Sequence, residues 1–546
     1  MRKLSLFLVL VMLLGFSAGL AEQQEYTEFT EVTFLSCWNG GGGSFPEDIM
    51  GNMIAQEIAK KTGVIVNMES IVTSETERLN TMFASGVMPD FVNAPYWSST
   101  SGEGFVIRKA ALEGMIYDIS PVLDQYPNIK RLFEVGVAKD YLQFDVFNPE
   151  YEGKIYVIPQ QTPSDDPRDI TNWAYGIFGR KDILEALDVD PASIDSTEKL
   201  YDLAVKIKEG GFKDAAGKDV IPMGTSHNGW NYWGFLDGFG DGYHLSSYRQ
   251  LEDGSIVNTF FTQRTIDQTL FMRKLVAEGL MDVEAFSNTD TMGKEKMAIG
   301  KCALFSFHAP YLVETMRETL YKTNPEMEYV RVGPLKMTDG NIVTAVEKVG
   351  RTGSPVHFIA ASSEKKEEVL RFLDFINSEE GRLLARYGIE GVHYDMVDGF
   401  PTVKPELREE WAENPAARRN LGIGVYEQFI GAYDYDSKYP MPEDQKNQWD
   451  KMLDSLRAGV PIVQFDKVSV GFLDRGYPKM EEYRDLTSTI NVEDERRRAY
   501  FAESDEGAIA IIEATRQRYL DAGIQDLFDY VKEQYEAYPN KDELMF

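Results

Sequence analysis

A mixed α/β chain of more than one domain is what this sequence predicts, on three observations. Between residues 32 and 92 the patterns run strand, helix, strand, helix, strand, the spacing of parallel βαβ units. The 546 residues exceed the roughly 300 that one hydrophobic core sustains. Apolar residues make up 43% of the chain and aromatics 12%, too many core-formers for a disordered protein.

Each element has a local reason. Val32 to Cys37 is predicted as a strand that ends in the glycine run Gly40 to Gly43. A helix follows with Ile49, Met53, Ile54 and Ile58 on one side. Lys60 and Lys61 complement its C-terminal dipole and Gly63 stops it. Val64 to Met68 is β-branched and strand-like. Ser74 opens a second helix, with Glu77 completing a capping box. Gly86 closes that helix, and Pro89-Asp90 leads into the short strand Phe91-Val92. Further on, Tyr156 to Pro159 and Trp173 to Phe178 read as strands, and Arg180 to Leu187 as a helix. Asp195 and Glu198 form an N-terminal capping pair before Leu200, Leu203, Ala204 and Ile207, which share one helical stripe. Gly224 to Gly242 is rich in glycine and aromatics and follows neither period. Thr265 to Glu278 is helical, Lys301 to Phe307 and Val356 to Ala361 are strand-like, and a helix carries Val369, Leu370, Phe372, Leu373 and Ile376. The last 140 or so residues are mostly helical and acidic, with the clearest stripe from Ala508 to Tyr519.

The first twenty-one residues predict where the protein works. Arg2 and Lys3 precede an apolar run from Leu4 to Phe16, and small residues lead to Ala21, the pattern of a cleavable secretory signal peptide. The run is too short for a comfortable membrane span. Loss of this leader takes the net charge from −32 to about −34, with 54 basic residues against 88 acidic. Such a surface disfavours nucleic acid and anionic membranes as partners. Of the two cysteines, Cys37 and Cys302, neither lies near the cleavage site to carry a lipid anchor. A chain this size needs no disulfide framework, so two buried free thiols are expected rather than a bridge. Residues 22–31 are expected to form a loose mature N-terminus.

Several phrases then stand out as an ordered set. They are Met88-Pro89-Asp90-Phe91, Glu113 to Ile119, Tyr151 to Pro159, Phe178 to Asp182, Ser196 to Leu200, Gly300 to Leu304, Glu364 to Gly381 and Tyr387 to Tyr394. In these the chain resembles the extracellular solute-binding proteins of ABC importers, family 1, in the LipO-like and alginate-binding-like branch. The likeness spans about residues 30 to 400. It implies a two-lobed periplasmic-binding-protein-like fold that closes a cleft on a sugar, with a mostly helical C-terminal portion. The first lobe would take residues 32–158 and the second 159–306. The chain would return to the first over 307–395, and 396–546 would pack mainly on the second lobe. Crossings would fall near Pro159 to Pro163, Phe307 to Pro310 and Tyr394 to Pro401. Hinges of this kind absorb dihedral change while the lobes stay rigid. The resemblance also implies permease subunits in the membrane as partners, an oligosaccharide as ligand, a monomer, and no cofactor. The branch often carries a calcium loop before the position of Pro222. Here Ala216 and Lys218 stand where carboxylates would help, so Lys213 to Val220 is expected to be a plain turn without metal.

Sugars present flat apolar faces ringed by hydroxyls, so a site for them needs aromatic platforms flanked by amides and charged groups. The stretch containing Asn228, Trp230, Tyr232 and Trp233 supplies both, against the alternative of a hydrophobic plug. Trp38 and Asn39 follow the first strand and Tyr96 and Trp97 the third, at carboxyl ends where α/β proteins bind ligands. Trp173 and Tyr175 follow the first expected crossing and His308 sits on the second. Arg351 is a candidate partner for an acidic sugar, although for it, as for Arg108 and Arg168, a salt bridge is the plainer reading. Glu390 and His393 lie among glycines that suggest a tight structural turn. Two rival classes remain open from sequence: a secreted glycoside hydrolase using paired carboxylates, and an oligopeptide binder of the same fold. Nucleophile-elbow, zinc-protease, paired Cys-x-x-Cys and P-loop patterns are absent from the sequence.

Overall fold

The computed structural model describes residues 25–37, 51–71, 75–96, 102–134, 142–160, 175–225, 232–239, 248–250, 254–320, 324, 327–336, 354–431, 443–457, 467–468, 473–474 and 476–539. Along the chain the strands are β1 (Thr30–Ser36), β2 (Val64–Ser70), β3 (Phe91–Ala94), β4 (Ile158–Pro159), β5 (Tyr175–Arg180), β6 (Ile221–Thr225) and β7 (Tyr248–Gln250). They continue with β8 (Ile256–Asn258), β9 (Cys302–His308), β10 (Tyr329–Val332), β11 (Val356–Ile359), β12 (Tyr394–Val397), β13 (Phe400–Val403) and β14 (Lys467–Val468). The chain divides into two compact units: residues 1–164 with 352–439, and residues 165–351 with 440–546.

Unit 1 is built on a sheet of order β2-β1-β3-β11-β4. β1 runs parallel to β2 and β3, as the βαβ spacing predicts. The helix Met53–Thr62 crosses between the first two strands, and Glu75–Ser85 between the second and third. Asn52 caps the first helix by accepting from Ala55 N, and Gly63 ends it at φ +70°. A Cβ at Gly63 would meet the Tyr26 ring at 2.6 Å. That ring is packed because Tyr26 N donates to Lys60 O and the Arg371 guanidinium lies 5.1 Å above it. Residues 26–30 are therefore tied to unit 1, contrary to the loose segment expected over 22–31. The helix Lys366–Ile376 buries Val369, Leu370, Phe372, Leu373 and Ile376, the stripe its sequence shows. Each such side chain contributes about 1.5–3 kcal/mol by burial.

Unit 2 holds a sheet of order β10-β5-β9-β6 and a smaller one of order β14-β7-β8. Helix Thr197–Gly210 buries Leu200, Leu203, Ala204 and Ile207 on one side. Its cap is Ser196, one residue after the expected Asp195. Asp195 instead holds Lys199 at 2.6 Å and Lys336 at 2.9 Å. Helix Gln448–Arg457 brings Trp449 and Leu456 to a cluster with Phe178, Phe305, Phe307 and Tyr329 from β5, β9 and β10.

Two of the three expected crossings are displaced. The division falls at 164/165, beside the first one, and then at 351/352 and 439/440. Near 307–310 the chain does not leave its unit. β9 stays paired with β5 as far as His308, and Pro310 opens the helix Ala309–Thr315, a position that proline favours because its missing N–H is unneeded there. Tyr394 to Pro401 is the β12-β13 hairpin, inside unit 1. Residues 307–351 thus belong to unit 2, and 396–439 to unit 1. Cys37 and Cys302 are both free and buried. Burial pushes the Cys37 thiol up to about 12.

Candidate functional site

In unit 1 the strand directions bring four described residues into one row at a sheet edge. β1, β3 and β4 point the same way, while β11 runs against β3 and β4. Ser36, Asn93, His357 and Ile158 stand in one row across these strands. In the sequence Trp38 and Asn39 follow β1, Trp97 follows β3, and Arg351, which belongs to unit 2, precedes β11. These four side chains lie outside the described residues, as do Trp173, Arg168, Asn228 and Trp230.

The described floor of that edge is polar and paired. Asn93 Nδ2 donates to Gln160 Oε1 at 2.5 Å, and Gln160 N donates to Pro355 O at 3.0 Å. Gln160 Nε2 donates to Gln428 O, and Cys37 N donates to Asn93 O at 2.7 Å. Asn93 and Gln160 were not visible as candidates from sequence. Their only signal is an amide side chain directly at the end of an apolar strand.

Tyr96 corrects one expectation. Its side chain is fully buried, and its hydroxyl meets Tyr151 Oη at 3.1 Å and Asp145 O at 3.3 Å. Every residue of β3 is buried, so the chain leaving it is still inside the core at Tyr96. In this structure the ring is a core element, with no face left for stacking.

In unit 2 one edge likewise collects distant parts of the chain. β6 and β9 are parallel and β5 runs against β9. Tyr175 therefore sits opposite His308, and Thr225 beside Ser306. The segment bearing Asn228 and Trp230 leaves β6 after Thr225. It returns as the 3-10 helix Tyr232–Phe239, where the sequence shows no period. Gly234 brings this helix against the sheet. A Cβ there would lie 2.2 Å from Ser306 Oγ and 3.9 Å from the Gly176 carbonyl carbon. Trp233 is half-buried and meets the Tyr232 ring edge-on at 6.3 Å. His308 is half-buried at the strand end, and burial lowers its pKa to about 4, so it is neutral at pH 7.

Tyr232 corrects a second expectation. It is 2% exposed, and its hydroxyl donates to Glu493 Oε2 at 3.1 Å. It pins its helix from the inside and offers no stacking face. Two further candidates have structural surroundings, as their sequence context suggests. Arg108 pairs with Glu150 and lies over Phe105. His393 is buried, and its Nδ1 accepts from Ile389 N at 2.9 Å within the turn that Gly388 and Gly391 allow.

The segment Lys213 to Val220 forms a turn closed by an ammonium group. Asp214 Oδ1 accepts from Ala216 N and Lys218 N, each at 2.9 Å, and Lys301 Nζ lies 3.3 Å from Oδ2. The same ammonium donates to Asp219 O at 3.0 Å. Burial raises the Asp214 pKa, but these donors outweigh it and bring it below the ordinary carboxylate value. Among the described residues no group of three His, Cys, Asp or Glu side chains is placed to hold a metal ion. No described helix is long and apolar enough to cross a membrane.

Comparison with known proteins agrees with this architecture. Residues 48–383 match the family described as bacterial extracellular solute-binding protein. The polygalacturonan/rhamnogalacturonan-binding protein YtcQ of Bacillus subtilis is 24% identical over 65% of this chain and 66% of its own length. Lipoprotein LipO of the same organism is 24% identical over 60% of this chain and 61% of its own. The chain thus spans slightly under two thirds of each of these relatives. Among solved structures, the alginate-binding protein AlgQ2 superposes with a TM-score of 0.65 at 20% identity, covering 94% of this chain and 99% of that one. The substrate-binding protein FusA of Streptococcus pneumoniae in complex with kestose gives 0.65 at 17%, covering 93% and 99%. These relatives are binding proteins, not enzymes. By its family match over more than half its length, the chain belongs to the bacterial extracellular solute-binding proteins.

Proposed function

We propose that the protein is the extracytoplasmic binding component of an ABC importer, exported by the leader at residues 1–21. In this reading it captures an oligosaccharide and delivers it to permease subunits. The observation that carries it is the match of residues 48–383 to the bacterial extracellular solute-binding proteins. It is supported by the Asn93 and Gln160 amides at one sheet edge of unit 1 and by Tyr175, Thr225, Ser306 and His308 at one edge of unit 2, the kind of edge where α/β folds bind ligands. Relatives named for polygalacturonan, rhamnogalacturonan, alginate and kestose support a sugar as the guest. Trp233, Trp38, Trp97, Trp173 and Trp230 are proposed as stacking platforms, with Tyr175, Asn39, Asn228, His308 and Arg351 bonding the hydroxyl rim.

The test is thermal denaturation of the mature protein against neutral and acidic oligosaccharides and peptides, with product analysis of every hit. A binder gains stability by mass action, about 2.7 kcal/mol at a hundred times Kd, and returns its ligand intact. Cleaved sugar would make it a hydrolase, and a response to peptides alone would change the guest. Trp230→Ala and Trp97→Ala should each weaken binding at least tenfold by loss of stacking area. Unchanged affinity in both would defeat the stacking role.

A further inference from the structure

The 3-10 helix Tyr232–Phe239 is held at its first residue by a helix far along the chain, Val492–Tyr500, which lies beyond the family match. The Tyr500 hydroxyl donates to the Tyr232 hydroxyl at 3.1 Å, and Tyr232 donates to Glu493 Oε2 at 3.1 Å. The two phenol rings also meet edge to face at 5.7 Å. Between Glu493 and Tyr500, one turn from each, sits Arg496 at 1% exposure. Its guanidinium lies 5.5 Å over the Phe260 ring, and its Nε and Nη2 find no hydrogen-bond partner among the described residues. Burial raises the pKa of Glu493, and the Arg496 charge acts against that rise. A buried guanidinium with unused N–H groups is costly relative to apolar packing. Simple adhesion of a helix to the sheet would not require such a group.

What the arrangement does gain is a fixed direction. Successive side chains of a 3-10 helix stand about 120° apart. Once Tyr232 is locked, the indole of Trp233 has one azimuth. Gly234 removes the remaining freedom by seating the backbone against Ser306. We infer that Glu493, Arg496 and Tyr500 are positioning residues that aim Trp233 at the ligand edge of unit 2 by locking Tyr232. The inference rests on the sugar-binding reading, in which Trp233 touches ligand.

The full mature chain labelled with 5-fluorotryptophan provides the test, its Trp233 signal assigned with Trp233→Phe. Tyr500→Phe and Tyr232→Phe each delete one hydroxyl oxygen, and Gly234→Ala disturbs the same helix from the sheet side. In the ligand-free protein, all three should shift or broaden the Trp233 fluorine resonance. Each hydroxyl deletion should weaken binding about 5- to 10-fold, the value of one hydrogen bond. The probe is whichever of kestose, trigalacturonate and an alginate trisaccharide stabilises wild type, and the melting temperature should stay within about 3 °C. An unmoved resonance in the tyrosine variants overturns the inference. So does a moved resonance with unchanged affinity, or an affinity loss that only tracks falling stability. If no probe stabilises wild type, the sugar reading fails and the inference falls with it, a result the resonance measurement keeps distinct.

Discussion

Acidification should unfasten unit 1 through a single imidazole. His357 is 1% exposed in the middle of β11, its ring stacked on Phe429 at 5.6 Å and tilted against Phe34 and Phe91 at 6.1 and 6.2 Å. Its Nε2 is buried with no hydrogen-bond partner among the described residues. Burial among these rings lowers its pKa to about 3. The unfolded chain binds this proton at the ordinary value near 6.5 and the folded chain only near 3, so between those values the unfolded state carries more protons. Stability is complete above pH 6.5 and is lost as pH falls towards 3. Between pH 7.5 and 4.5 the loss from this one group is about 3 kcal/mol. His357→Leu, close in volume and unable to titrate, should show a correspondingly smaller drop over the same interval. Its constant cost in packing cancels when each variant is compared with itself at the two pH values. Because a chain of two units need not unfold in one step, the assay is urea unfolding with pulse-labelling hydrogen exchange, read on peptides from β11 and Lys366–Ile376. A variant whose pH increment lies within about 1 kcal/mol of wild type would refute the burial argument.

Three further outcomes follow from single positions. Gly388→Ala should cost about 2–4 kcal/mol in urea melts of unit 1, since φ is +89° and a Cβ would meet His393 Nδ1 at 2.6 Å. Asn377→Leu should cost about 2–4 kcal/mol by the same assay, because the buried amide donates to Leu373 O and Phe429 O and accepts from Gly431 N. Lys301→Met should destabilise unit 2 by about 1–3 kcal/mol by stranding the Asp214 carboxylate, and Lys301→Arg should recover most of it. With the wild-type ammonium in place, calcium and EDTA should leave the melting temperature unmoved, as differential scanning calorimetry can check.

Regular periods were legible in the sequence, and partners were not. Leu200, Leu203, Ala204 and Ile207 share a stripe at 3.6 residues per turn, and all four are buried. The first βαβ units followed from the same logic and pair in parallel. The helix Tyr232–Phe239 escaped because a glycine-aromatic run has no period, and what shapes it is contact of Gly234 with Ser306. A crossing near Phe307 to Pro310 was expected from the family resemblance, yet the proline there suits a helix start. Tyr96 and Tyr232 show the deeper limit. A tyrosine suits a binding face or an interior equally well, and the choice is made by a hydroxyl partner. Tyr151 and Glu493 are those partners, and nothing in the local sequence points to them.

The family match ends at residue 383, but neither hydrophobic core does. Phe429 sits 4.8 Å from Phe34, 5.0 Å from Phe372 and 5.8 Å from Phe91, and Ile423, Val425 and Tyr426 join it in the core of unit 1. In unit 2, Tyr500 belongs to the central cluster, while Ala499, Ala508 and Ile512 enclose Phe260 and Ile266. Arg516 donates to Phe260 O and Thr262 O from two nitrogens. A chain cut after the matched region would remove four large aromatic or aliphatic side chains from the core of unit 1 alone, a loss of about 2–5 kcal/mol for each. The total, about 8–20 kcal/mol, is as large as the roughly 5–15 kcal/mol on which folded domains typically stand. The helical C-terminal region is thus part of both folds, and the matched first part of the chain is a fragment of two domains and not a domain in itself.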